Sequence, residues 1–347
     1  MTTIVENARL LTGGVDTHAD SHVAAVIDPV GGLLGVESFP ANPAGYKTLS
    51  DWMGGFGIVG VVGVEGTGSY GAGLARHLAR VGLSVVEVDR PNRQERARAG
   101  KSDPLDAIEA ARAALSGRAF GQAKTRDGNV EAIRALVVAR RSAGESRVTA
   151  LNQIRQLVYT GPDELRQRFV DVPSWRLAEG VAVMRVRADR DPVRMATKTA
   201  LASLARRALA LGEERRRLDE LIAELVDDTA PGLLELIGVG PHIAALLLVA
   251  AGDNPSRLRT EATWAKLCGV APLQASSGKV SRHRLNRGGD RQANHALWRI
   301  VITRMSCHSP TKTYVARRLA EGKSKREIVR VLKRYVAREV YGCLMRA

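Results

Sequence analysis

The sequence predicts an α/β domain at the N-terminal end, a helical middle and a mainly α domain at the C-terminal end. Three observations carry that prediction. Strand-like and helix-like runs alternate between Gly13 and Asp89; apolar residues recur in steps of three and four from Leu201 to Leu225; and glycine-punctuated apolar helices near Gly238 lead into a basic loop. The chain has 347 residues, 45% of them hydrophobic, which is enough for two or three domains with a sizeable core.

The first stretch, "GGVDTHADSHVAAVID" from Gly13 to Asp28, reads as two strands, and "LLGVESF" after the turn "PVGG" as a third. A helix is expected over Pro43 to Met53, a fourth strand in "IVGVVGVEGTG", a helix over Tyr70 to Val81 and a fifth strand in "LSVVEVD". Three meandering strands followed by alternating helices and strands give an α/β sheet with a mixed edge, as in ribonuclease H-like folds. Asp16 lies in the first strand and Glu65 ends the fourth. A carboxylate in an apolar strand is costly unless a hydrogen bond or a cation compensates it. In an open sheet the ligand crevice lies off the carboxyl ends of the central strands, where these two acids converge.

Two further acids open the next helix, in "AGKSDPLDAIEAARAAL". Asp103 and Asp106 are three residues apart and so share a helical face. One explanation is capping, with Asp103 before Pro104 as N-cap and an acid in the first turn facing the helix dipole. The other is that Asp16, Glu65, Asp103 and Asp106 form a four-carboxylate set able to hold two divalent ions about 4 Å apart, as in phosphodiester cleavage. Oxygen donors alone favour magnesium or manganese over zinc.

In the middle, Leu201, Leu204, Ala208, Leu211, Arg215, Leu218, Ile222 and Leu225 fit a coiled-coil seam, and a helix over Val130 to Val158 repeats the theme less regularly. The pairing could lie within one chain or join two. "GPDELRQRFVDVPSW" is expected to break the helices as a loop. In "LLELIGVGPHIAALLLVAAGD", Gly238 and Gly240 punctuate two apolar helical segments, a pattern like a helix-hairpin-helix that presents backbone N–H groups to a phosphate. An ordinary glycine turn, with Ile237 and Val239 in the core, is the competing explanation. Residues 272–299 then carry Lys279, Arg282, Arg284, Arg287, Arg291 and Arg299 against Asp290 alone, a composition suited to enclosing a phosphate. In the last 47 residues, Ile328, Val331, Leu332, Tyr335 and Val336 form a helical stripe opposite basic residues.

Residues 1–90 hold 5 Lys/Arg and 9 Asp/Glu, and the rest of the chain 47 and 27, so the two parts carry −4 and +20. The second part is polyanion-attracting, which makes nucleic acid the leading partner. Aromatic residues at 4% favour backbone contacts over base stacking. The longest apolar run, Ile243 to Ala251, is far short of the roughly 20 residues a bilayer needs. No basic segment leads into a signal-peptide core, and a cytoplasmic protein is expected. Cys268, Cys307 and Cys343 lack CxxC spacing and read as buried thiols rather than a zinc site or disulfides.

The stretches "GGVDTHADSHVAAVID", "VVGVEGTGSYG" and "KSDPLDA" resemble the D-E-D-D signature of the RuvC-like domain in the IS-one-ten family of bacterial insertion-sequence transposases. "GVGPHIAALLL", "WAKLCGVAP", "SSGK" and "NRGGDR" are similar to that family's C-terminal transposase domain. The resemblance implies a RuvC-like domain over residues 10–120, a helical coiled-coil region over 125–230 and a transposase domain over 231–347. It implies catalytic, metal-holding roles for Asp16, Glu65, Asp103 and Asp106, with Mg2+ or Mn2+. It makes Ser277, before the glycine, the nucleophile, with Ser276 one register away. Gly238, Gly240, Lys279, Arg282, Arg284, Arg287 and Arg291 are the expected nucleic-acid contacts. The implied partners are donor and target DNA, a guide (bridge) RNA and further copies of the chain as dimers or tetramers, in the bacterial cytoplasm at the nucleoid. Two departures stand out: His18 and Asp20 follow Asp16 where the family often has a lysine, and "GGDRQANHAL" lacks the usual leucine–arginine pair. The rival functions are a metal-dependent junction resolvase or nuclease using the acids alone, and a noncatalytic nucleic-acid-binding protein.

Overall fold

The computed structural model describes residues 10–88, 102–119, 121–184, 191–276 and 283–346. The chain falls into two compact units, Met1–Gly128 with Gly252–Arg259, and Asn129–Ala251 with Thr260–Ala347. The first holds a mixed six-stranded sheet and the second is mostly helical.

In the first unit, β1 (Leu11–Thr17), β2 (Ser21–Ile27) and β3 (Leu33–Pro40) form an antiparallel meander. After α1 (Pro43–Gly54), β4 (Val59–Glu65) lies parallel to β1; after α2 (Ala72–Arg80), β5 (Ser84–Val88) lies parallel to β4. The short β6 (Gly121–Gln122) closes the order β3-β2-β1-β4-β5-β6. Alternation of side chains along the strands gives the sheet two apolar faces. On one, Leu49 and Met53 of α1 and Leu74 and Leu78 of α2 pack with Val15, Val26, Val62 and Val64. Each such fully buried aliphatic side chain contributes about 1.5–3 kcal/mol. On the other face lies α3 (Asp103–Leu115), whose Ala107 and Ile108 cluster with Val23 and Ala25.

The second unit is built on two long helices, α4 (Asn129–Thr160) and α7 (Pro192–Thr229). They run antiparallel: Arg140 bonds Asp219, Arg147 lies beside Gly212, and Thr197 lies beside Gly161. The coiled-coil partner is therefore within the same chain. Between them, most of 161–182 is helical rather than a loop. It forms α5 (Asp163–Phe169) and α6 (Ser174–Ala182), because Leu165, Phe169, Leu177 and Val181 are spaced to bury together against Leu201 and Ala205 of α7. Prolines at 162 and 173 occupy the N-cap positions of these helices instead of ending structure.

A short α8 (Pro231–Leu234) leads through Gly238, at φ +86°, into the apolar α9 (Pro241–Ala251). Val239 is buried, but Ile237 is half exposed, so only one of the two flanking residues joins the core. A 3-10 turn (Pro255–Leu258) and α10 (Glu261–Leu267) follow. Two two-residue strands paired antiparallel, β7 (Leu273–Gln274) and β8 (His283–Arg284), precede α11 (Arg291–Cys307), α12 (Ser309–Ala320) and α13 (Lys325–Leu344). In α13, Ile328, Leu332 and Val336 are buried, whereas Val331 and Tyr335 lie on the exposed edge of the stripe. Cys268 and Cys343 are buried and Cys307 is exposed. Among the described residues, no helix is long and apolar enough to cross a membrane.

Candidate metal centre and basic loop

Steric room sets the position of α3. A Cβ at Gly14 would stand 2.2 Å from the Ala107 carbonyl oxygen and the Ala111 nitrogen, and one at Gly63 would stand 2.5 Å from the Ala110 carbonyl. The two glycines, on adjacent strands, let an alanine-rich helix settle directly onto the sheet backbone. With a period of two, Asp16 and Glu65 occupy the same face two residues further on, one step past the paired Val15 and Val64. The N-terminal turn of α3, carrying Asp103 and Asp106, lies against that end of the face.

Asp16 is buried, at 6% exposure, and so is Asp106, at 7%. Burial pushes the Asp16 carboxyl above the usual carboxylate range, the charges of Asp106 and Asp103 add to this, and His18 opposes it. His18 Nε2 stands 3.0 Å from Asp16 Oδ2 and 3.4 Å from Asp103 Oδ1. Donor atoms of Asp16, His18 and Asp103 all lie within 4.8 Å of one another. Glu65 ends β4, and its carbonyl accepts a 2.8 Å hydrogen bond from Thr17 Oγ1, which ties the two acid-bearing strand ends together. Asp103 is the first helical residue; Ser102, not Asp103, occupies the N-cap, without a side-chain capping bond. Capping therefore does not account for Asp103. The chemistry of the donor set, carboxylate oxygens with one imidazole nitrogen at an otherwise uncompensated buried acid, fits a divalent cation. The period of two puts His18 on the same side as Asp16, but a histidine two residues from an acid signals no metal ligation until α3 brings Asp103 to the same nitrogen.

In the second unit, "NRGGDR" forms a tight turn. Asn286 accepts from Gly288 N–H at 3.0 Å, and Asp290 caps α11 by accepting from Gln292 and Ala293. Asn294, held at 2.9 Å by Lys333, donates to the Cys268 carbonyl. These bonds fix the segment between β8 and α11. Ser276 follows β7 and Arg284 ends β8, and Arg284, Arg287 and Arg291 are exposed. Ser277, Lys279 and Arg282 lie outside the described residues. The turn holding Gly238 is fixed from α11, where buried Arg304 donates to the Ile237 carbonyl at 2.8 Å and to Glu339 at 2.8 Å. Gly240 immediately precedes α9. Beside it runs a groove of about 690 Å³, lined by Arg134, Arg140, Arg141, Arg215, His242 and His295 among others. Arg215, at a seam position of the α7 pattern, lines this groove, which no sequence pattern marks.

A mixed sheet whose central strands end in acids, facing the acidic first turn of a helix and followed by a mostly helical region, is consistent with a DEDD nuclease-like domain. Comparison with known proteins is more specific. Residues 13–160 match a family model of DEDD-type IS110 transposases, and residues 230–316 match the model described as "Transposase IS116/IS110/IS902 family". Together they span about two thirds of the sequence, and the chain belongs to the IS110 family of transposases. It is also 36% identical over 125 residues to "Insertion element IS110 uncharacterized 43.6 kDa protein" of Streptomyces coelicolor; that match covers 35% of this chain and 31% of the relative.

Proposed function

We propose that this protein is a DNA transposase/recombinase that moves an insertion sequence, with donor and target DNA as substrates and a guide RNA selecting them. The observation that carries the reading is the presence of both family spans in one chain, in order. The first contains Asp16, Glu65, Asp103 and Asp106, and the second contains Ser277 with Gly238, Gly240, Lys279, Arg282, Arg284, Arg287 and Arg291. A RuvC-like fold for the first unit is supported by the parallel β1–β4–β5 core with an antiparallel meander on its edge.

In this reading Asp16, Glu65, Asp103 and Asp106 hold Mg2+ or Mn2+, which when bound supplies positive charge to phosphate oxygens. The buried strand ends and the alanine-rich seat of α3 keep the carboxylates fixed before DNA arrives. Ser277 Oγ forms an ester bond to phosphorus as the bond from phosphorus to a deoxyribose oxygen breaks, and the proton lost by the hydroxyl is balanced by one gained at the leaving oxygen. The arginines of the loop offset charge on the phosphate. Religation reverses the step on a second strand. Dimers or tetramers would let acids and serine from different copies share one phosphodiester, and base pairing with the guide would carry sequence selection.

The test is recombination of donor and target DNA with the element's RNA. Asp16→Ala and Ser277→Ala should each lower strand joining at least a thousandfold. In wild type a covalent protein–DNA adduct should form, and in Ser277→Ala it should be absent. Adduct-free cleavage indifferent to Ser277 would instead establish a nuclease that uses the acids alone.

A further inference from the structure

We propose that His18 is a nitrogen ligand to the cation held by Asp16, and that it tilts this site toward manganese over magnesium. The inference rests on the metal-dependent reading above and adds to it a donor outside the four acids. In an octahedral site with bonds of about 2.1 Å, neighbouring donors stand about 3.0 Å apart. The separations from His18 Nε2, 3.0 Å to Asp16 Oδ2 and 3.4 Å to Asp103 Oδ1, are those of adjacent corners around one ion. The same nitrogen faces both carboxylates. A proton on it can point at only one of them, whereas a cation at the common point meets all three donors.

Charge points the same way. Asp16 is buried, the charges of Asp103 and Asp106 act on it, and a cation at the point the donors share would offset that charge directly. Asp16 and His18 lie two residues apart at the end of β1, and Asp103 is brought to them from the first turn of α3 by the seating of that helix on the sheet. An imidazole among carboxylates makes the set softer than oxygen alone and raises its preference for manganese relative to magnesium.

The experiment is Mn2+ binding to the full-length protein, followed by electron paramagnetic resonance, with pulsed detection of 14N coupling to the bound ion. Wild type should bind Mn2+ and show nitrogen coupling. His18→Gln should keep Mn2+ on the carboxylates, lose the coupling and bind Mn2+ about tenfold more weakly, with Mg2+ competing correspondingly better. Asp16→Asn should lose the ion. Mn2+ bound to wild type without nitrogen coupling, or coupling that survives in His18→Gln, would overturn the role of His18 while leaving the carboxylate site standing. Failure of wild type to bind Mn2+ would overturn the metal-dependent reading and this inference together. Thermal unfolding of His18→Gln close to that of wild type separates ligation from misfolding.

Discussion

His242 shows how far one side chain can be read from its neighbours. It lies on the first turn of α9, with Nε2 3.3 Å from the Arg140 guanidinium, which itself bonds Asp219. Arg140 can only donate, so Nε2 accepts and the ring proton sits on Nδ1, which is buried without a partner. Burial first, and then the Arg140 charge, lower its pKa to about 4. An unfolded histidine takes up its proton near pH 6.5, so stability tied to the neutral ring is complete above that pH and is lost as the pH falls toward 4. Because the ring is only partly buried, solvent screening holds the effect to about 1–2 kcal/mol. His242→Gln should flatten the decline in unfolding free energy between pH 6.5 and 4, measured by denaturant titration. Residues such as Asp16 are legible in a sequence because an acid among valines demands an explanation. His242 is not, since its environment is assembled from Arg140 and Asp219, about a hundred and about twenty residues away.

Elements were more legible than sites in the first unit and less so in the second. Strands β1 to β5 and helices α1 and α2 follow from alternation and from the turn residues between them, because one sheet with two apolar faces leaves little freedom. The helices α5 and α6 were not legible, because prolines at 162 and 173 read equally as stops or as first-turn residues until Leu165, Phe169, Leu177 and Val181 have a surface to meet. The contact between α3 and the sheet is the element-scale feature most open to test. Gly14→Ala or Gly63→Ala introduces a methyl group where backbone already stands, at 2.2 and 2.5 Å. Either should cost about 3 kcal/mol of stability in thermal or urea unfolding, whereas Ala114→Gly on the same helix should cost about 1. Displacing α3 also carries Asp103 and Asp106 away from Asp16, so Gly14→Ala should weaken Mn2+ binding even under conditions where the protein remains folded.

For the whole molecule, charge is the property best read from composition, with −4 before residue 91 and +20 after it. The exposed Arg284, Arg287 and Arg291 contribute to that balance. Replacing all three with alanine should reduce affinity for duplex DNA and flatten the slope of log affinity against log salt by about three, as measured by fluorescence anisotropy. An unchanged slope would remove them from the phosphate contacts. The chain's path also matters for taking the protein apart. It passes from the first unit to the second after Gly128, returns for Gly252–Arg259 and leaves again. On that return Asn254 donates to the Ala123 carbonyl at 3.0 Å and Leu258 is buried. A stop codon after residue 128 would thus delete eight amino acids of the first unit's own packing, and an excised fragment would need that peptide supplied, by fusion or in trans, to be a fair specimen of the metal centre.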